Sequence, residues 1–125
     1  MYVKSAKDLE VYKLAYEQAM EIFVLTKDFP KEEKYSLTDQ VRRASRSVCG
    51  NLREAWAKRR YIAHFASKIT DCDGENAETD TWLDFAKDCG YITNEGHDKM
   101  IKRNKRIGQM LGNMINKTET FCKND

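Results

Sequence analysis

The residues best placed to do chemistry lie between Glu33 and Arg60, where arginine, amide and carboxylate side chains recur at helical spacing. Gln40, Arg43, Ser47, Asn51 and Glu54 follow steps of three and four, so on a helix they form one polar stripe beside an apolar one. Such groups cannot be buried unpaired without a penalty of several kcal/mol, so the stripe needs partners. An interhelical or intersubunit network meets that need, with Arg43 reaching Glu54, Glu75 or Glu78. Arg42, Arg46, Arg53, Lys58, Arg59 and Arg60 fall off the apolar stripe and are free to meet a partner. Phosphate-backbone contact suits them, because guanidinium forks match phosphate geometry and counterion release supplies affinity. Lys102, Arg103 and Arg106, with Lys99 and Lys105, add a second basic run that could join the first.

Opposed charge is the rival explanation. The stretch from Val41 to Arg60 holds seven bases against one acid, and that from Asp71 to Asp88 seven acids against one base, although the whole chain carries only +2. The acidic segment could neutralise the basic one within a subunit or across an interface, leaving a solvated face of ordinary kind.

Other chemistries find little support. The chain has no GxxxxGK[ST], GxGxxG, HExxH or GxSxG. Neither His64 nor His97 follows a glutamate by three positions, so the di-iron pattern of helical bundles is absent too. Cys49, Cys72, Cys89 and Cys122 form no CxxC pair, and the first three sit on or near apolar faces, where a reduced thiol acts as a small hydrophobe. No metal, cofactor or enzymatic activity is expected.

The elements that must position these residues are helices. Apolar residues recur at three- and four-residue steps, and no stretch alternates with period two. The first helix is expected over about Ser5 to Asp28, with Leu9, Tyr12, Ala15, Tyr16, Ala19, Ile22, Phe23 and Thr26 inward. Phe29-Pro30 ends it, because proline disfavours helical geometry in the residue before it. Pro30-Lys31-Glu32-Glu33 opens the second, whose inward stripe is Leu37, Val41, Ala44, Val48, Leu52 and Ala55. A third begins near Arg59 to Tyr61 and closes at Cys89-Gly90, a C-cap signal. Thr93-Asn94-Glu95 opens the fourth, which turns Ile101, Asn104, Ile107 and Leu111 inward.

Short connections between long helices force antiparallel neighbours, which predicts an all-α, up-and-down four-helix bundle occupying residues 1–125 as a single domain. A hydrophobic fraction of 41% can fill one core, while 34% charged residues keep the surface wet. Ile22-Phe23-Val24-Leu25 is far too short to span a bilayer, and Met1-Tyr2-Val3-Lys4 opens no signal peptide, so a cytoplasmic location without membrane contact is expected.

Ordered landmarks add a resemblance. Lys7-Asp8-Leu9-Glu10-Val11-Tyr12, Phe29-Pro30-Lys31-Glu32-Glu33, Gln40-Val41-Arg42-Arg43-Ala44, then Ser47, Asn51-Leu52-Arg53-Glu54-Ala55, Gly74, Glu78 and Asp88-Cys89-Gly90-Tyr91-Ile92 follow one another along the chain. Over roughly Lys7 to Leu111 the sequence resembles a bacterial family of small four-helix-bundle proteins encoded by intervening sequences in 23S ribosomal RNA genes. The resemblance implies a homopentameric ring of bundles. It also implies kinship with the accessory variability protein of diversity-generating retroelements, a basic five-subunit barrel that binds nucleic acid and a reverse transcriptase. Arg53, Ala55, Asp73 and Glu75 depart from the family pattern, and the two acids make this third helix more acidic than that pattern.

Two functions follow as expectations. In the first, a homo-oligomer binds RNA or DNA, with Arg42, Arg46, Arg53, Lys58, Arg59, Lys102, Arg103 and Arg106 on phosphates, while Gln40, Arg43, Ser47, Asn51, Glu54 and Glu78 organise packing. Its partners would be itself, nucleic acid and a reverse transcriptase. In the second, the chain is a protein-interaction scaffold whose charged faces serve self-assembly alone.

Overall fold

The computed structural model describes residues 3–122. Among these, every regular element is helical, and no helix is long and apolar enough to cross a membrane. Four long helices, α1 (Glu10–Thr26), α2 (Asp39–Ala57), α3 (Ile62–Asp88) and α4 (Asn94–Asn116), are followed by a single turn, α5 (Thr118–Phe121).

Local chemistry fixes the helix ends. The Ser5 hydroxyl accepts from the Lys7 amide and the Asp8 carboxylate from the Ser5 amide, a reciprocal cap. The cap starts only a short 3-10 turn, Ala6–Asp8, and Leu9 is extended, so α1 begins at Glu10 rather than Ser5. After Pro30 the chain winds first as a 3-10 turn, Lys31–Glu33, and then as a π turn, Lys34–Thr38, so α2 begins at Asp39 rather than Glu33. The C-terminus of α3 is closed by Gly90 at φ 80°. Its amide bonds the Lys87 carbonyl, and that of Tyr91 reaches back to Ala86 at 2.8 Å. Thr93 caps α4 by accepting from the Gly96 amide.

Each long helix packs on two others: α1 and α3 both lie against α2 and α4, so α2 and α4 occupy opposite corners. Neighbours run antiparallel. Thr26 of α1 meets Arg42 of α2, Arg43 and Glu54 of α2 meet Glu78 and Lys68 of α3, and Asp84 and Asn76 of α3 meet His97 and Asn104 of α4.

The interior holds two apolar regions. The larger gathers Val11, Val48, Leu52, Phe65, Ile69 and Leu111 with their neighbours, and the smaller is built on Ile22, Val41, Leu83 and Met100. Between them lies a buried polar layer. Gln18 Nε2 donates to Asn104 Oδ1 and to the Met100 carbonyl, both at 2.7 Å. Asn76 Nδ2 donates to the Asn104 carbonyl at 2.9 Å, and Asn104 Nδ2 donates to Asp80. Satisfied in this way, the amides avoid the penalty of burial without partners.

Several inward assignments shift. On α1, Val11 and Gln18 are buried, whereas Tyr16 is 54% exposed and Phe23 half-buried; the buried sector is rotated toward α4. On α4, His97 and Met100 are buried and Ile101 only partly so. Cys72 is buried and Cys49 half-buried, but Cys89 is exposed, because the C-cap carries it off the apolar face. Burial pushes the Cys49 thiol up to about 11 and that of Cys72 to about 12, which keeps both protonated and inert.

Candidate nucleic-acid interface

Helical periodicity divides the polar residues of α2 between two flanks, and the neighbouring helices give those flanks opposite fates. The flank toward α3 is internally neutralised. Arg43 donates to Glu75 at 2.9 Å and to Glu78 at 2.6 Å, and Trp82 Nε1 also donates to Glu78. Hydrogen bonds from Arg43 lead the effect that raises its own basicity. For Glu78, burial pushes the carboxyl up, but the bonds from Arg43 and Trp82 outweigh it and hold it below the ordinary range. Glu54 pairs with Lys68 at 2.7 Å, not with Arg43. Gln40, Ser47 and Asn51 are half-buried on this same flank.

The flank toward α1 is cationic. Arg42 Nε donates to Thr26 Oγ1 at 2.7 Å, and its guanidinium lies 4.9 Å from the centre of the Phe23 ring. Arg46 sits over the same ring at 5.5 Å and Lys27 at 4.9 Å. Arg42, Arg46 and Arg53 make no ion pair among the described residues, and Asp39, one turn earlier, pairs with none of them. The acidic third helix therefore spends its nearest carboxylates on Arg43 and leaves these cations alone. Beyond the helix end, Arg59 stacks on Trp56 at 4.4 Å and donates to the Trp56 carbonyl, while Lys58 is exposed.

The fourth-helix bases divide. Lys102 and Arg106 are exposed, but α4 stands at the corner opposite α2, so they do not extend the Arg42–Arg46 patch within one chain. Arg103 needs a correction as a phosphate contact. Its side chain is only 10% exposed and turned onto α1, where it donates to Gln18 at 2.7 Å, Glu21 at 2.9 Å and Glu17 at 3.3 Å. Three oxygens already occupy the fork that a phosphate would need.

Three contributors escaped the sequence reading: Phe23 and Lys27, which complete the cationic cluster, and the exposed Tyr16. Tyr12 and Tyr16 stack with ring centres 6.2 Å apart. Their spacing from Phe23 was visible, but it was absorbed into the inward stripe of α1. No group of three or more histidine, cysteine or acidic side chains among the described residues could hold a metal ion.

Comparison with known proteins gives two findings. Residues 7–113 match the family described as 23S rRNA-intervening sequence protein. The fold is similar to the crystal structure of a protein of unknown function from the S23 ribosomal protein family of Bacteroides thetaiotaomicron. The two share 28% identity with a TM-score of 0.76, over 85% of this chain and 95% of that one. No curated protein matches the sequence.

Proposed function

We propose that this chain, which belongs to the 23S rRNA-intervening sequence protein family, is a non-enzymatic, homo-oligomeric bundle protein that binds the backbone of RNA or DNA. The observation that carries the proposal is the contrast between the two flanks of α2. Arg43 and Glu54 are matched by opposite charge, whereas Arg42, Arg46 and Arg53 on the other flank have no carboxylate partner among the described residues. Arginine rather than lysine at all three positions favours forked recognition of phosphate. A net charge of +2 gives one subunit little affinity for a polyanion. A ring of five, as the family resemblance suggests, would repeat the patch and raise affinity through multivalency. Ribosomal RNA, or the nucleic acid handled by a partner reverse transcriptase, is the natural candidate ligand for such an accessory factor.

Filter binding over a salt series tests this directly. If three phosphates are neutralised per subunit, log affinity should fall with log salt at a slope of roughly −2 to −3 for each subunit engaged. Binding that is absent at low salt, or indifferent to salt, rejects the proposal.

A scaffold role is the second reading, favoured by the exposed apolar residues Val24, Ile62 and Phe85. Reversing charge at Arg42 and Arg46 separates the two. Loss of the oligomer on a sizing column, with no nucleic-acid affinity to lose, supports the scaffold.

A further inference from the structure

Antiparallel packing sets the Phe23 ring of α1 against arginines of α2. Phe23 lies under Arg46, with the guanidinium 5.5 Å from the ring centre. Two turns toward the start of α1 stands Tyr16, and two turns toward the end of α2 stands Arg53. Because the helices run in opposite directions, a two-turn step on each brings Tyr16 and Arg53 to corresponding levels of the groove, roughly 10 Å from Phe23 and Arg46, with no cation among the described residues seated on the Tyr16 ring. Tyr16 is 54% exposed and is steadied by the stacked Tyr12 ring. The two levels of the groove differ in one useful respect. The Phe23 ring is covered by Arg42, Arg46 and Lys27, which fixes those cations; the Tyr16 ring is left open to solvent.

We infer that the α1–α2 groove is a binding track for single-stranded nucleic acid, with Tyr16 as a base-stacking platform and Arg42, Arg46 and Arg53 as phosphate contacts. This deepens the nucleic-acid reading above and rests on it. An offset of roughly 10 Å equals the rise of about three stacked nucleotides, so one strand could meet both levels of the groove. Single strands present unstacked bases to aromatic rings, and base–aromatic stacking tolerates any sequence because every base has a flat face. A duplex keeps its bases stacked inside and would leave Tyr16 without a partner. A second copy of the chain could offer exposed acids of its own α3, such as Asp73 and Asp84, to these arginines, but it would give the exposed Tyr16 ring no flat face to stack on, and the sizing-column measurement below separates that case.

Fluorescence anisotropy on the full chain decides the matter, using a short labelled RNA as a single strand and as a duplex of equal length across a salt series. Single-strand binding should exceed duplex binding by about tenfold, and Tyr16→Ala should weaken it by about tenfold while leaving duplex binding and the salt slope unchanged. Tyr16→Phe should restore it, since the ring and not the hydroxyl stacks. Arg53→Ala should weaken both forms and flatten the salt slope by about one unit. Duplex binding equal to single-strand binding, with Tyr16→Ala silent, overturns the track but leaves backbone binding standing. No binding of either form at low salt overturns the underlying reading as well. If Tyr16→Ala instead dissolves the oligomer on a sizing column, the groove is a contact between copies and the inference fails. Tyr16 projects to solvent, so its loss removes no core packing.

Discussion

Arg46 and Arg103 are the same residue type on similarly basic helices, yet one faces solvent beside an aromatic ring and the other is enclosed by two carboxylates and an amide. Removing the second should therefore hurt the fold. Arg103→Ala leaves the Gln18 side-chain oxygen without its donor and the partly buried Glu21 with only the longer Lys99 contact at 3.5 Å, and should cost about 2 kcal/mol in chemical denaturation, a figure discounted because Glu17 and part of Glu21 remain wet. Arg46→Ala should change stability by less than about 0.5 kcal/mol, as surface substitutions usually do. Asp80 offers a pH-dependent test. Burial raises its carboxyl above the ordinary value, outweighing the stabilising bond from Asn104. A raised folded value means that its contribution is full at acidic pH and is lost as pH climbs through that value. Asp80→Asn keeps an oxygen for Asn104 and removes the charge. It should raise the melting midpoint at neutral pH, by no more than about 1 kcal/mol since solvent screens this half-buried group. The gain should vanish on acidification through the Asp80 transition; a constant gain at every pH would contradict the assignment.

At the scale of elements, the four long helices were legible because apolar spacing, Pro30, the Cys89-Gly90 stop and the Thr93 cap are local signals. The start of α2 was not, since the Leu37-to-Val41 step fits a π turn followed by α-helix as well as it fits a continuous α-helix. The split of α2 into two flanks was legible too, being a matter of periodicity alone. Which flank would find carboxylates was not, because that depends on helix pairing: Glu54 went to Lys68, and Arg103 to acids more than eighty positions away. Tyr16 and Phe23 carry the same apolar label inside or outside, so the contribution of α1 to the groove stayed hidden. The α3 stop is a place where one backbone angle governs an element. A methyl group added at Gly90 meets nothing within 4 Å, so Gly90→Ala should cost only the left-handed strain at φ 80°, about 1 kcal/mol, read as a lower denaturation midpoint with unchanged helical circular dichroism.

For the whole molecule, the proposed ring would multiply a weakly charged unit into a particle that displays the same groove five times. Sedimentation should then find a species of five 14.6 kDa chains, whereas a monomer at micromolar concentration would remove the basis for multivalent affinity. The interior raises a different question. Gln18, Asn76 and Asn104 could be leucines as far as packing energy is concerned, and replacing all three together, in the Asp80→Asn background that removes the carboxylate otherwise left without Asn104, should leave stability equal or higher, since Arg103 keeps Glu17 and Glu21. What the amides supply is an address. If α1 slid by one turn against α4, Gln18 would face Ile107 or Met100 side chains instead of Asn104 and would lose its partner. The slipped bundle is thereby penalised, while the true alignment is not. The triple leucine variant should show this loss of discrimination as broadened amide resonances and dye binding despite a higher midpoint, the behaviour of a core that no longer distinguishes one alignment from the next. The polar layer thus works as a key cut into an otherwise greasy interior, and it selects a single register for four helices that grease alone would let slide.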